Sequence, residues 1–330
     1  MSPNFLFKKI IFYFGSFWVI LFINFIIPRL MPGNPVVAII SQIATYHPVT
    51  TGEVQGLYSV FGTPNEPLWF QFLQFTGNVF RGNFGTSISF FPESVLTVIS
   101  GTISWTVLLF GLALVISFFI GNYLGAIAAN SRTSTGDKAG SIVALFLYSF
   151  PYFWLALMLQ VILALKFKIF PPLGPYNALK YLPSFSFGFI SSVATHLALP
   201  LITLVVTSYG GWFLGMRNNM LTILNEDFMK YGKMIGMKND ILLRYARRNA
   251  LIPNMTAFAL ALGGIIGGGI LVDIVFSYPG LGFVLYDGIL NEDYPLIQAV
   301  FLFIIIGVLL ANFFMDILYV KLDPRIAEGE

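Results

Sequence analysis

The sequence predicts an all-α integral membrane protein with six transmembrane helices. Three observations carry this. Of the 330 residues, 57% are hydrophobic and only 10% are charged, and the mean hydropathy of +0.80 lies far from the soluble globular average. The apolar residues fall in long uninterrupted runs, unlike the short alternating segments of barrel strands. Only helices and closed barrels satisfy their own backbone inside lipid, so runs of this kind are helices.

A span needs about 20 mostly apolar residues. The first, residues 10–28, follows Lys8 and Lys9. It exceeds the 7–15 residues of a secretory h-region and runs into Arg29-Leu30-Met31-Pro32 rather than a small-residue cleavage site. Residues 1–28 therefore read as a retained N-terminal transmembrane helix. Residues 29–102, rich in Gly, Pro, Thr and Asn, read as an extracellular or periplasmic loop region forming a small cap. Runs at 103–129, 139–165, 196–216, 254–276 and 297–320 supply five more spans, a core of 103–320 interrupted by a long loop at 217–252. A short tail, 321–330, closes the chain. In the fifth span, GGIIGGG places Gly263/Gly267 and Gly264/Gly268 four apart, a spacing that lets helix backbones approach closely.

Basic residues orient the bundle. With the N-terminus inside, 13 of the 18 Lys and Arg fall on the inner side and 5 on the outer, so both termini are expected in the cytoplasm. The 277–296 loop, with Asp287, Glu292 and Asp293 and no Lys or Arg, fits the outside.

The chain lacks most enzyme chemistry. Without cysteine there are no disulfides, Cys-ligated zinc or thiol catalysis. His47 and His196, the two histidines, build no metal cluster. There is no G-x-x-x-x-G-K-[ST] loop for phosphate, no HExxH and no GxSxG. No catalytic residue, metal, resident cofactor or nucleic-acid partner is expected. Two acids accompany the spans. Intramembrane carboxylates are costly and often functional, which makes Asp273, near the outer end of the fifth span, a candidate for a substrate path. Asp316, toward the inner end of the sixth, reads as a structural partner for a nearby Lys or Arg.

Positive charge concentrates in the inner loop, where Lys230, Lys233, Lys238, Arg244, Arg247 and Arg248 fall within 19 residues. Contact with anionic lipid explains charge on such a loop but not its pattern. The stretch from Asn225 to Leu251 reads as helix, with Pro253 marking its boundary and Gly232 and Gly236 on one face. Each glycine costs about 1 kcal/mol relative to Ala in a helix interior, so the pair predicts the close approach of another surface. A structured inner loop on a chain with no ATP site suggests a docking surface for a separate motor.

At this point the residues resemble a known family, the transmembrane permease subunits of ABC importers of the dipeptide/oligopeptide/nickel group. The similarity runs nearly the whole length: PRLMPGNPV (28–36, with Asn34 where Asp is usual), RGNFGTS (81–87), SFPYFWLALML (149–159), HLALPLITL (196–204), MRNNML (216–221), LLRYARRNALIPNMT (242–256), VFSYPGLG (275–282), DYPLIQAV (293–300) and LDPRI (322–326). The resemblance implies a type I ABC importer permease fold in a prokaryotic inner membrane. It also implies that the loop before the fifth span carries the family's EAA motif, which docks into a cleft on the ATPase. Lys230, Tyr231 and Gly232 stand where Glu-Ala-Ala stands, a departure at all three, and Gly236 is the motif glycine. Pro253 is its closing proline. Lys233, Met237, Lys238 and Arg244 complete the implied coupling set.

The implied partners are a second, homologous permease, one or two ATPase subunits that bind ATP and Mg, a substrate-binding protein, and the bilayer. The implied cargo is peptide, with oligosaccharide or nickel as alternatives. An ion-coupled secondary transporter is the competing class. It would show paired intramembrane carboxylates and inverted repeats, and no repeat is evident. A membrane-embedded enzyme would need the catalytic constellation that is missing.

Overall fold

The computed structural model describes residues 3–30, 48–61, 66–265 and 269–322, with 37, 40, 41, 43 and 44 as isolated positions. The helices are α1 (Pro3–Leu30), α2 (Thr51–Phe61), α3 (Leu68–Phe80), α4 (Val95–Asn130), α5 (Thr135–Ser149), α6 (Tyr152–Leu159, continued by a π-helical turn, Gln160–Lys166), α7 (Phe187–Leu224), α8 (Asp227–Met234), α9 (Asn239–Gly264), α10 (Ile270–Phe276), α11 (Leu281–Leu290) and α12 (Tyr294–Leu322). No strand occurs among the described residues.

Among the described residues, four helices are long and apolar enough to cross a membrane: Phe7–Ile27 within α1, then α4, α7, and Tyr294–Phe314 within α12. Two bent pairs bring the number to six if each is one span: α5 with α6 and its π turn, bent by 94°, and α10 with α11, bent by 85°.

The bends correct two of the expected spans. Residues 139–165 are not one helix, because proline disfavours helical backbone in the residue before it. Phe150 takes ψ 130° and ends α5, and Pro151 caps α6. Residues 254–276 are not one helix either. Helix α9 ends at Gly264 and α10 begins at Ile270, and the glycine run between them has little helix propensity. Pro253 does not bound a helix but lies inside α9. The close approach expected of the GGIIGGG pairs lies partly outside the described residues, since 266–268 are not among them. Gly264 has open space where a Cβ would be. Much of PRLMPGNPV and of LDPRI likewise lies outside them.

The chain forms two compact units. One comprises Met1–Thr106, Ile266–Ile274 and Pro279–Glu330. Here α1 packs on α12 and α3, with Leu21, Phe25, Phe75 and Leu302 buried together. A reciprocal amide clamp joins the first pair: Asn24 Nδ2 donates to the Gln298 carbonyl at 2.9 Å, and Gln298 Nε2 to the Asn24 carbonyl at 2.8 Å. Near the other end of the same helices, Asp316 Oδ2 accepts a hydrogen bond from the Tyr13 hydroxyl at 2.8 Å and pairs with Lys9 at 3.2 Å, as the sequence reading expects of it. The start of α4 joins α11 and α12 through Val95, Ile99, Leu281, Leu285 and Leu296.

The second unit comprises Val107–Ile265 and Val275–Tyr278, with α7 as its axis: α5, α6 and α9 all pack on it. Glycines set these approaches. A Cβ on Gly210 would overlap the Ala144 carbonyl and lie 2.8 Å from Tyr148 Cβ, and one on Gly121 would lie 2.6 Å from the Tyr209 carbonyl. Small residues let helices meet backbone to backbone, here in α4 and α7. At one end of this unit Arg217 donates to Asp137 from Nε (2.5 Å) and Nη2 (2.8 Å). Asp137 is itself part of the α5 cap, where Ser134 Oγ accepts from its N–H at 3.1 Å.

Candidate functional site

The basic segment is not one helix from Asn225 to Leu251. It is the short α8, a four-residue turn, and the start of α9. Eight residues do not hold a helix alone in water, so packing decides. Met229 is buried and joins Met216, Met220, Leu242, Ala246 and Ala250 in an apolar cluster. Three residues on, Gly232 turns the same face inward. A Cβ there would lie 2.7 Å from Leu242 Cδ2 and 3.2 Å from Met237 Sδ. The surface that approaches Gly232 is therefore the chain's own α9 and turn, which corrects the expectation of a foreign surface at that residue.

Gly236 does not share a helical face with Gly232. It has φ +78°, in the left-handed region glycine enters without a Cβ penalty. Its N–H donates to the Lys233 carbonyl at 3.1 Å, and that of Met237 to the Gly232 carbonyl at 3.0 Å. This pair of bonds is a Schellman motif, the common device that ends a helix on a left-handed glycine. A Cβ on Gly236 would meet nothing within 4 Å, so conformation rather than space demands the glycine.

The structure brings the predicted residues to one segment and then sorts them. Gly232 is buried and Met237 half-buried, while Lys230, Tyr231, Lys233, Gly236, Lys238 and Arg244 are exposed. Lys230 pairs with Asp227 at 2.9 Å on the exposed side, an interaction worth a few tenths of a kcal/mol. Lys238 caps α9 through its backbone only. What the sequence reading missed is the apolar content of the outward face: Phe228, Tyr231, Met234 and Ile235 are exposed at 48%, 65%, 83% and 58%. Their spacing of three and four residues was the available signal; the charges drew attention from it.

A buried amide relay ties α9 to the rest of its unit. Asn254 Nδ2 donates to Asn122 Oδ1 at 2.7 Å and to the Trp212 carbonyl at 3.1 Å. Asn219 Nδ2 donates to the Ala250 carbonyl at 3.1 Å and to Asn254 Oδ1 at 3.3 Å. Beside it, Phe118 meets Trp212 edge to face and Phe258 at a tilt. The relay crosses α4, α7 and α9, and its central residue, Asn254, directly follows Pro253.

Asp273 is fully buried. Its Oδ2 accepts from the Gly282 N–H at 3.2 Å, and a Cβ on Gly280 would overlap the carboxylate. The acid thus sits on the N-terminus of α11, where unpaired N–H groups and the helix dipole favour negative charge. The glycines of YPGLG let it come that close. Asp293 plays a comparable part elsewhere in the same unit. Its Oδ2 accepts from Ser87 Oγ (2.5 Å) and from the N–H groups of Ile88 (2.7 Å) and Ser89 (2.9 Å), while Oδ1 caps α12 through Leu296. Two motifs that the sequence reading treated separately, RGNFGTS and DYPLIQAV, are one site. No group of three or more possible metal ligands occurs among the described residues.

Residues 121–328 match the family model described as the binding-protein-dependent transport system inner membrane component. The chain belongs to this family. Relatives align over nearly the full length of both chains. The dipeptide transport system permease protein DppB of Alkalihalophilus pseudofirmus is 31% identical over 92% of this chain and 93% of its own. The oligopeptide transport system permease protein AppB of Bacillus subtilis is 29% identical over 92% and 93%. The metal-staphylopine import system permease protein CntB of Staphylococcus aureus is 28% identical over 99% of both. This chain is accordingly a multi-pass inner-membrane permease subunit of a binding-protein-dependent importer. The family match contains α8, the Schellman turn and α9 entire.

Proposed function

We propose that the chain is the peptide-translocating permease of an ATP-driven importer, paired with a second homologous permease and seated on separate ATPase subunits through α8. One observation carries the coupling role. A short helix is fastened from behind by Met229 and Gly232, ended rigidly by Gly236, and left with Phe228, Tyr231, Met234 and Ile235 facing outward. An apolar patch ringed by lysines, on a chain without a phosphate-binding loop, fits a cleft on a partner that has one. Movement of α8 is passed to α9 across the Gly232–Leu242 contact, and to α4 and α7 through the Asn254 relay. Both termini, the basic segment and α8 lie in the cytoplasm on this reading.

Peptide cargo is supported by the peptide-transport names of relatives such as DppB and AppB. Asp273 serves the path indirectly: it holds the start of α11 and does not touch cargo. The test is uptake of labelled di- to oligopeptides by cells carrying or lacking this chain. Loss of peptide uptake on deletion, restored by the intact chain, supports the reading. Unchanged peptide uptake with loss of a metal chelate, the cargo named for CntB, replaces the substrate. Co-purification with no ATPase chain removes the coupling role.

A further inference from the structure

Helix α3 carries no charged residue and runs antiparallel to α1. Its Phe75 ring lies 5.7 Å from that of Phe25, and its Phe80 ring lies 6.1 Å from Phe17 and 6.4 Å from Trp18. Phe17 is ten residues from Ile27, the end of the apolar stretch of α1, or about 15 Å along the helix. That is half of a hydrocarbon core about 30 Å thick. Helix α12 gives the same depth independently. The Phe84 ring lies 5.7 Å from Phe303, nine residues past Tyr294, where the apolar stretch of α12 begins, or about 14 Å. Ile27 and Tyr294 share one side of the membrane, as the Asn24–Gln298 clamp beside them requires. Gly82 and Gly85, at φ +69° and +82°, turn the chain after α3, and Ser87 brings it back to Asp293, next to Tyr294.

Two features exclude lipid around this turn. Residues 81–94 are not helical, and irregular backbone at membrane depth occurs only where protein covers it or it lines a water-filled cavity. Arg81 directly follows Phe80, is exposed, and has no acid paired with it among the described residues. A charged side chain at such depth faces the bundle interior or water. Gln74 and Asn78 stand on the same face of α3, and with Gln55 and Tyr58 of α2 they line one open cleft that includes Arg81.

We propose that α3 and the turn after it re-enter the outer half of the membrane, and that their polar face is a wall of the cargo path in which Arg81 receives the C-terminal carboxylate of a peptide. The re-entry replaces, for these residues, the external cap expected of 29–102. The outer side is that of the orientation proposed above, and the cargo rests on the peptide reading. A guanidinium pairs with a carboxylate through two parallel hydrogen bonds. The three side-chain amides and the Tyr58 hydroxyl offer donors and acceptors to peptide groups. No acid lines the cleft among the described residues, so the carboxylate end of a peptide is the end it selects.

The test uses the complete importer in cells, with single cysteines in this cysteine-free chain. Asn78→Cys should react from outside with a small methanethiosulfonate and not with a maleimide carried on a bulky polymer, whereas Leu179→Cys should react with both. Reaction of Asn78→Cys with both would make α3 an external cap, and reaction with neither would take water out of the cleft; either overturns the proposal. In membranes that hold the importer without its binding protein, trialanine should protect Asn78→Cys. Trialanine amide, which lacks the carboxylate, should need about tenfold more. Adding Arg81→Gln should remove that difference, and Arg81→Lys should keep part of it. No protection by trialanine, or an unchanged preference with Arg81→Gln, overturns the carboxylate role. Uptake separates this inference from the reading beneath it. Wild-type cells that import no trialanine would sink both. Arg81→Gln cells that import it at the wild-type rate, with the wild-type level of the chain in the membrane, would sink this inference alone.

Discussion

Leu242 lies over Gly232 so closely that its Cδ2 would be 2.7 Å from a Cβ at that position. The helix that faces outward and the helix that leads into the core thus touch where one of them has no side chain.

Substitutions at Gly232 should follow size. Alanine meets the movable end of a leucine and gains up to about 1 kcal/mol of helix propensity, so Gly232→Ala should stay near wild type. Gly232→Leu should overpack the contact at about 1–3 kcal/mol and dislodge α8. Stimulated ATP hydrolysis and peptide uptake should fall while the level of the chain in the membrane holds. Normal uptake in Gly232→Leu would refute transmission through this contact.

Gly236 should follow conformation instead. A left-handed backbone costs an ordinary L residue roughly 1–2 kcal/mol, and asparagine is the common second choice at such a cap. Association with ATPase subunits should therefore rank Gly above Asn, Asn above Ala, and Ala above Val. A Val variant equal to wild type would show that the turn is not needed.

Breaking the Arg217–Asp137 pair should be costly. Asp137 is almost wholly buried, and removing one partner of a buried pair costs about 3–5 kcal/mol. The lower figure is expected, because the Arg217 side chain keeps 22% exposure. Arg217→Met should lower the thermal midpoint, and adding Asp137→Asn should restore most of it, since an Asn carbonyl can still accept from the Thr133 N–H, as Asp137 Oδ2 does at 3.2 Å. Equal midpoints for Arg217→Met and wild type would remove the pair from the stability account.

Asp293→Ala should orphan Ser87 Oγ and the N–H groups of Ile88 and Ser89. Each unsatisfied buried donor costs about 1–3 kcal/mol. Proteolysis within residues 81–94 should accelerate markedly, with Asp293→Asn intermediate. Identical cleavage rates in the three proteins would contradict the pinning.

Orientation is open to labelling in this cysteine-free chain. Leu179→Cys, at a position 102% exposed, should react with an impermeant maleimide on intact cells. Asn239→Cys, at an exposed position outside the apolar patch, should react only after permeabilisation. Ser89 would serve poorly, because its Oγ is buried. The opposite pattern would invert the proposed topology.

By itself the sequence determined the class of the protein. Long apolar runs, skewed Lys and Arg, and ordered motifs from RGNFGTS to VFSYPGLG are local or additive properties that need no coordinates. It also pointed to the basic segment, since Gly236 and its neighbours stand together in the chain. Only the tertiary structure decided what those residues do. Gly232 and Gly236 look alike in sequence, yet one is bare because Leu242 covers it and the other because its φ is positive. Asp273 reads as an acid near a span and Asp293 as one of the acids of an outer loop, yet one sits on the N-terminus of α11 and the other clasps a loop some 200 residues earlier in the chain. Breaks at Pro151 and in the glycine run divided apolar stretches that composition alone joins. The reason is the same in each case: composition sums over a window, whereas burial, caps and helix crossings depend on which distant residue arrives.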